Sequence, residues 1–118
     1  MTYLPDVNVW CALAIGGHVH QEAALRWMQG IAPEDSVVFC RVTQHGLLRL
    51  LTNAKAMGPN VLFPEDAWAK YDALRAIVHA RFLSEPPEIE AAWRTATRAK
   101  YGGQNYWTDA YLAAFAVS

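Results

Sequence analysis

Apolar and polar positions along the chain change period repeatedly, from short unbroken apolar runs to stripes of helical spacing. Residues 2–5 form a brief run that stops at Asp6, and they read as a strand. Residues 9–15 follow as a helix of a turn or two, ended by Gly16-Gly17. Residues 21–29 carry Ala24, Trp27 and Met28, with Ile31 just beyond, at helical spacing and with Gly30 as the stop. After the loop Pro33-Glu34-Asp35 comes Val37-Val38-Phe39-Cys40, a run of β-formers of the kind that is buried on both faces.

Thr43 is placed to cap a helix running to about residue 53, with Leu47, Leu50, Leu51 and Ala54 on one side and Arg49 among them. Residues 54–63, with Gly58-Pro59-Asn60, read as a connection. Pro64-Glu65-Asp66 is an N-terminal helix signature, and Ala67, Tyr71, Leu74 and Val78 follow as its buried stripe. Arg81-Phe82-Leu83 is a third short strand. Pro86-Pro87 opens a helix with Ile89, Ala92, Trp93 and Ala96 inward and Glu90, Arg94 and Arg98 outward. The loop Gly102-Gly103-Gln104-Asn105 feeds Asp109, which is read as opening the last helix. Residues 110–117 are apolar nearly all round, so this helix is expected to be buried on most sides. Strands that alternate with helices give an α/β class with a parallel sheet. The sequence stops at Ser118, directly after an apolar helix with nothing to follow it, and so reads as a C-terminally truncated domain.

Composition narrows the picture. At 118 residues the chain is expected to be one domain, 1–118, with a real core. Its 53% hydrophobic and 18% charged residues exclude a disordered chain. A formal net charge of −1 sets up no overall field for a polyanion, so any nucleic-acid contact has to come from a local patch. Cys11 and Cys40 lack C-x-x-C spacing and read as buried free thiols of a reducing cytosol. No basic segment precedes the apolar start, and the longest apolar run, residues 9–15, is far short of a membrane span. A cytoplasmic protein with no membrane partner is expected.

Chemistry centres on two acids. An aspartate at the carboxyl end of a first strand is either a helix N-cap or a working carboxylate. Asp6 alone favours the cap; Asp109, far away in sequence at the start of another helix, makes a pair of carboxylates worth reading together. The other candidates are weaker. His18 and His20 lack a third ligand and read as a surface loop; His45 and His79 stand alone on helices. No G-x-S-x-G, P-loop or G-x-G-x-x-G is present, which leaves acyl transfer and nucleotide cradling without support. Arg49 either reaches a phosphate or serves structure through an ion pair or by snorkelling. Arg94 and Arg98, with Lys100, form an RNA-tracking patch or an ordinary solvated face. Trp68, Tyr71 and Trp93 are assigned to the core, and Trp10, near the mouth of the first strand, to a partner contact.

Three segments in order carry a resemblance: Leu4-Pro5-Asp6-Val7-Asn8-Val9, then Val42-Thr43-Gln44-His45-Gly46-Leu47-Leu48-Arg49-Leu50-Leu51, then Trp107-Thr108-Asp109-Ala110-Tyr111-Leu112-Ala113. Together they resemble PIN-domain ribonucleases of the VapC toxin type, over essentially the whole chain. The resemblance implies a PIN-like three-layer α/β/α sandwich around a short parallel sheet. It implies acids that hold Mg²⁺ or Mn²⁺, hydrolysis of RNA, a VapB-type antitoxin as partner, and a homodimer. It further implies Asp6 and Asp109 as metal carboxylates, with Asn8, Thr43 and Gln44 as second-tier site residues; Asn8 and Thr43 read equally well as helix-start residues. Hard divalent cations take oxygen ligands, and Mg²⁺ leans on one or two carboxylates plus substrate phosphate.

Two departures from the family pattern bear on activity. Many PIN domains place a glutamate near the start of the second helix motif, where this chain has Gln44, and a neutral amide cannot supply the carboxylate charge. The further strand and aspartate in a T-x-D-type segment that the family places after the last helix are not in this sequence. Two carboxylates hold one Mg²⁺ weakly, so weak or absent activity of the 118-residue chain is expected. The alternative reading is a catalytically impaired PIN-like module that binds antitoxin or RNA without cleaving. A phosphatase using Asp6 as nucleophile is a poor third, because its motif prefers an aspartate where Asn8 stands.

Overall fold

Three short parallel strands organise the first of two units in the computed structural model, which describes residues 1–98, 102–103 and 105–117. Lys100, Gln104 and Ser118 lie outside the described residues. The first unit, Met1–Leu83, contains β1 (Thr2–Tyr3), α1 (Val7–Ala14), α2 (Gln21–Gln29), β2 (Ser36–Phe39), α3 (Arg41–Leu51), α4 (Ala54–Met57) with a 3₁₀ turn (Gly58–Asn60), α5 (Pro64–Val78) and β3 (Arg81–Phe82). The sheet order is β1-β2-β3, with Thr2 opposite Ser36, Tyr3 opposite Val37, Val38 opposite Arg81 and Phe39 opposite Phe82. All strands therefore end at the same edge, and the α/β class with a parallel sheet is observed.

The middle strand is apolar on both faces because both are covered. Val37, Val38 and Phe39 are buried, and the Trp10 indole of α1 stacks on the Phe39 ring at 3.9 Å between centroids. Tyr71 of α5 meets the same ring edge-on at 4.9 Å. Leu47 and Leu51 of α3 and Ala67 of α5 close the core around them. Trp10 is 0% exposed, so it is a core residue and not the partner contact expected from its place near the first strand. Its position on the inward face of α1 follows from helix phase, which a run of apolar neighbours on every side hides.

Several boundaries move for local reasons. The α3 helix starts two residues before Thr43, with Cys40 at the N-cap and Thr43 as the third helical residue. The Thr43 hydroxyl oxygen accepts the Cys40 backbone N–H at 3.1 Å, so it satisfies a helix end by reaching back to it. The expected connection at 54–63 contains α4, capped by the Asn53 side-chain oxygen Oδ1, which accepts the N–H groups of Lys55 and Ala56. His79, expected on a helix, instead ends α5 in the left-handed region at φ 54°, a cap that glycine usually supplies. Gly46 has a packing role: a Cβ there would meet Val7 Cγ2 at 3.0 Å, so its absence lets α3 approach the first turn of α1.

Ser84–Ser118 is the second unit and holds α6 (Ile89–Ala96) and α7 (Tyr106–Val117). The two helices pack through aromatic edges. Trp93 meets Trp107 at 6.0 Å and Tyr111 at 5.3 Å, and its indole N–H donates to the Trp107 carbonyl at 3.1 Å. The Tyr111 hydroxyl donates to Glu85 at 2.7 Å. The α7 helix buries Ala110, Tyr111, Ala114 and Phe115 and exposes Ala113, Ala116 and Val117, so it is buried on one stripe and not on most sides. Alanine is apolar by count yet costs little in water, which is why an all-apolar wheel overstated the burial. Ala96, expected inward, is exposed for the same reason. Trp68 is 48% exposed and so leaves the core to Tyr71.

Candidate functional site

Parallel strands bring the chain out at one edge, and the loops there hold most of the candidates. Asp6 follows β1 and caps α1. One carboxylate oxygen, Oδ1, accepts the backbone N–H groups of Asn8 at 3.0 Å and Val9 at 3.2 Å. The side chain is exposed, and no hydrogen bond among the described residues takes Oδ2. The cap and the working carboxylate are thus compatible on one residue: one oxygen fixes its direction and the other faces outward. Asn8 contributes a backbone N–H to that cap as the second residue of α1, and its side chain is exposed.

On the middle strand, the β1–β2 register continued past the strand ends puts Asp6 level with Cys40, where α3 begins. Thr43 is 1% exposed and occupied with the Cys40 backbone, so its role is to shape this helix start. Gln44 is 7% exposed, and its side-chain oxygen accepts from the Arg41 guanidinium. That guanidinium also lies over the Phe82 ring of β3, 4.6 Å from its centroid. Arg41 was not among the sequence candidates. Its signal is visible afterwards: an arginine directly behind a buried strand and three residues before a glutamine on the same helix face.

Arg49 is not part of this edge. It is the ninth residue of α3, about 12 Å along the helix from its start at 1.5 Å per residue. There it lines a cavity of about 160 Å³ with His45, Leu48, Thr52, Pro64, Ala67 and Trp68. Asp109 belongs to the second unit. Its own N–H already donates to the Asn105 carbonyl at 2.9 Å, so Asp109 sits inside the first turn of α7 and is not the cap expected there. Its side chain is exposed, and no hydrogen bond or ion pair among the described residues takes it. Asp6 and Asp109 supply the oxygen donors that suit a hard divalent cation. Among the described residues no group of three or more His, Cys, Asp or Glu side chains that could hold a metal is assembled.

The remaining candidates are settled by their contacts. His18 Nδ1 accepts the His20 backbone N–H at 3.1 Å, which makes this pair part of a loop turn. Arg94 pairs with Glu90 at 2.9 Å on an exposed helix face. Cys11 and Cys40 are buried free thiols. Burial, reinforced by the nearby Asp6 carboxylate, pushes the Cys11 thiol from its ordinary 9.0 up to about 11. The folded protein therefore keeps a proton between these values that the unfolded chain releases, and stability falls as pH rises through that window. Urea midpoints at pH 8 and pH 10.5 are expected to fall more steeply for the wild type than for Cys11→Ala; parallel slopes would contradict this. No helix among the described residues is long and apolar enough to cross a membrane.

Residues 3–118 match the PIN domain family. The chain is 43% identical to Ribonuclease VapC41 of Mycobacterium tuberculosis, over 98% of this chain and 82% of that protein. It is 32% identical to Ribonuclease VapC29 of the same organism, over the full chain and 80% of that relative. Both matches run through the Asp6 and Asp109 segments and across both structural units. This chain belongs to the PIN-domain family, as a member of its VapC type.

Proposed function

We propose that this chain is the toxin of a toxin–antitoxin pair and an endoribonuclease that hydrolyses RNA phosphodiester bonds. Asp6 and Asp109 are the carboxylates proposed to hold Mg²⁺ or Mn²⁺, as PIN-domain ribonucleases generally use a divalent metal. The carrying observation is Asp6 itself, exposed at the carboxyl edge of the sheet with one oxygen pinned by two backbone N–H groups. When bound, the cation supplies Lewis acidity and neutralises charge that develops on the scissile phosphate. Asp6 holds its carboxylate still for that purpose. Thr43 shapes the neighbouring helix start, and Asn8 flanks Asp6 with an exposed amide that can face a solvent molecule or the substrate. The proposal extends to one PIN domain spanning both units, a VapB-type antitoxin, a homodimer and a cytoplasmic setting.

The test is cleavage of single-stranded RNA with and without Mn²⁺ by the wild type and by Asp109→Asn. Metal charge stabilisation is worth several kcal/mol, so the variant is expected to lose about 10²-fold or more in rate. An unchanged rate would remove Asp109 from the site. The amide at Gln44 favours a second reading, a PIN module that binds without cleaving, because its oxygen is taken by Arg41 and supplies no charge to a cation. Absence of both cleavage and Mn²⁺ binding in the wild type would select that reading.

A further inference from the structure

Arg41 is the first residue of α3, where the helix presents its positive end. The helix dipole disfavours a cation at that position. Among the described residues no carboxylate pairs with it: the ion pairs there join the Met1 amino group to Asp35, Arg26 to Glu22 and Arg94 to Glu90. The guanidinium is nevertheless held in two ways, by the side-chain oxygen of Gln44 and by the face of Phe82. Both braces are rooted in the fold, since Gln44 is 7% exposed and Phe82 pairs with Phe39 in the sheet.

The braces share one property, which is that neither carries charge. A glutamate at position 44 would form an ion pair with Arg41 and cancel it. The amide restrains the same guanidinium and leaves its full positive charge at an exposed position. A residue that opposes local stability, is fixed in place and is left uncompensated is the pattern of a binding group. The planar guanidinium fits a phosphate with paired N–H donors, and the start of α3 adds its own attraction for an anion. The sheet order places Arg41 on the β3 side of β2 and Asp6 on the β1 side, along one row of strand ends.

We propose that Arg41 binds a backbone phosphate of the RNA next to the scissile one, and that Gln44 is its neutral brace and not a weakened metal ligand. This rests on the ribonuclease reading and adds to it a contact for the strand. The contact is to the backbone, so it contributes affinity without sequence preference.

The experiment is equilibrium binding of a short, labelled single-stranded RNA of mixed sequence to the whole chain in EDTA, followed by anisotropy across a NaCl series. Wild type, Arg41→Ala, Arg41→Lys and Gln44→Glu are compared. Arg41→Ala is expected to weaken binding about tenfold and to flatten the slope of log K against log salt by about 0.7, the share of one phosphate on a single strand. Arg41→Lys is expected to keep the slope and lose part of the affinity. Gln44→Glu, which keeps the brace but neutralises the guanidinium, is expected to weaken binding in the same direction as Arg41→Ala. Wild-type affinity and slope in Arg41→Ala would overturn the inference alone, as would RNA binding by Gln44→Glu as tight as wild type. Failure of the wild type to bind RNA would overturn the ribonuclease reading together with it.

Discussion

Asp6→Asn is expected to abolish metal-dependent RNA cleavage while leaving the fold intact. The reason lies in the division of labour between its two oxygens. Oδ1 caps α1 by accepting from Asn8 and Val9, and asparagine offers a side-chain oxygen that caps about as well as aspartate. The free oxygen is the one proposed to meet the cation, and an amide there brings no charge. Cleavage should fall about 10²-fold or more, and stability should stay within about 0.5 kcal/mol. Asp6→Ala removes both functions, so it should lose cleavage equally and about 1 kcal/mol of stability as well. Cleavage rates and urea melts of the pair separate the two roles. Cleavage retained by Asp6→Asn would show that the carboxylate serves only as a cap, and a large stability loss in that variant would show that the cap needs the charge.

Trp10→Ala is expected to be the most destabilising single change in the first unit. The indole is fully buried, stacked on Phe39, which in turn carries Tyr71 on its edge. Removing it deletes the largest side chain in the core and strips one face from the middle strand. Truncations of this kind cost about 3–5 kcal/mol, a large part of the total stability of a typical small protein. Trp10→Phe tests the geometry more finely. It keeps an aromatic face for Phe39 and removes the indole N–H, which is buried without a hydrogen-bond partner among the described residues. Its cost is expected to be about 1 kcal/mol, with the loss of volume partly offset by loss of an unsatisfied donor. Urea midpoints of the two variants check the order. Equal costs would mean that the polar atom is satisfied in solution or that the stacking is immaterial.

Much of this protein is legible from local rules. The limits of α2, the proline-led start of α5 and the apolar run of β2 follow from periodicity and punctuation, which act between residues a few positions apart. Asp6 as a cap followed directly from its place between an apolar run and a helix. Local rules also explain the misplaced start of α3. A cysteine at the N-cap is an uncommon choice, and Thr43 satisfies the same helix end from inside, so the sequence read the capping residue as the cap.

Partners distant in sequence were decided by the fold. Arg41 went unnoticed in the sequence, and the sheet brings Phe82 of β3 beside β2, under its guanidinium. Trp10 looked available at the mouth of β1, and the fold stacks it on Phe39, twenty-nine positions later. The exposed alanines of α7 and the half-exposed Trp68 show the converse, apolar residues with nothing laid over them. The sequence by itself determined most of the helices and strands and the Asp6 cap of α1, because backbone hydrogen bonds and caps are made with near neighbours. Tertiary structure alone decided which aromatic is buried and which ring lies under the Arg41 guanidinium, because those depend on packing between segments that the chain sequence separates.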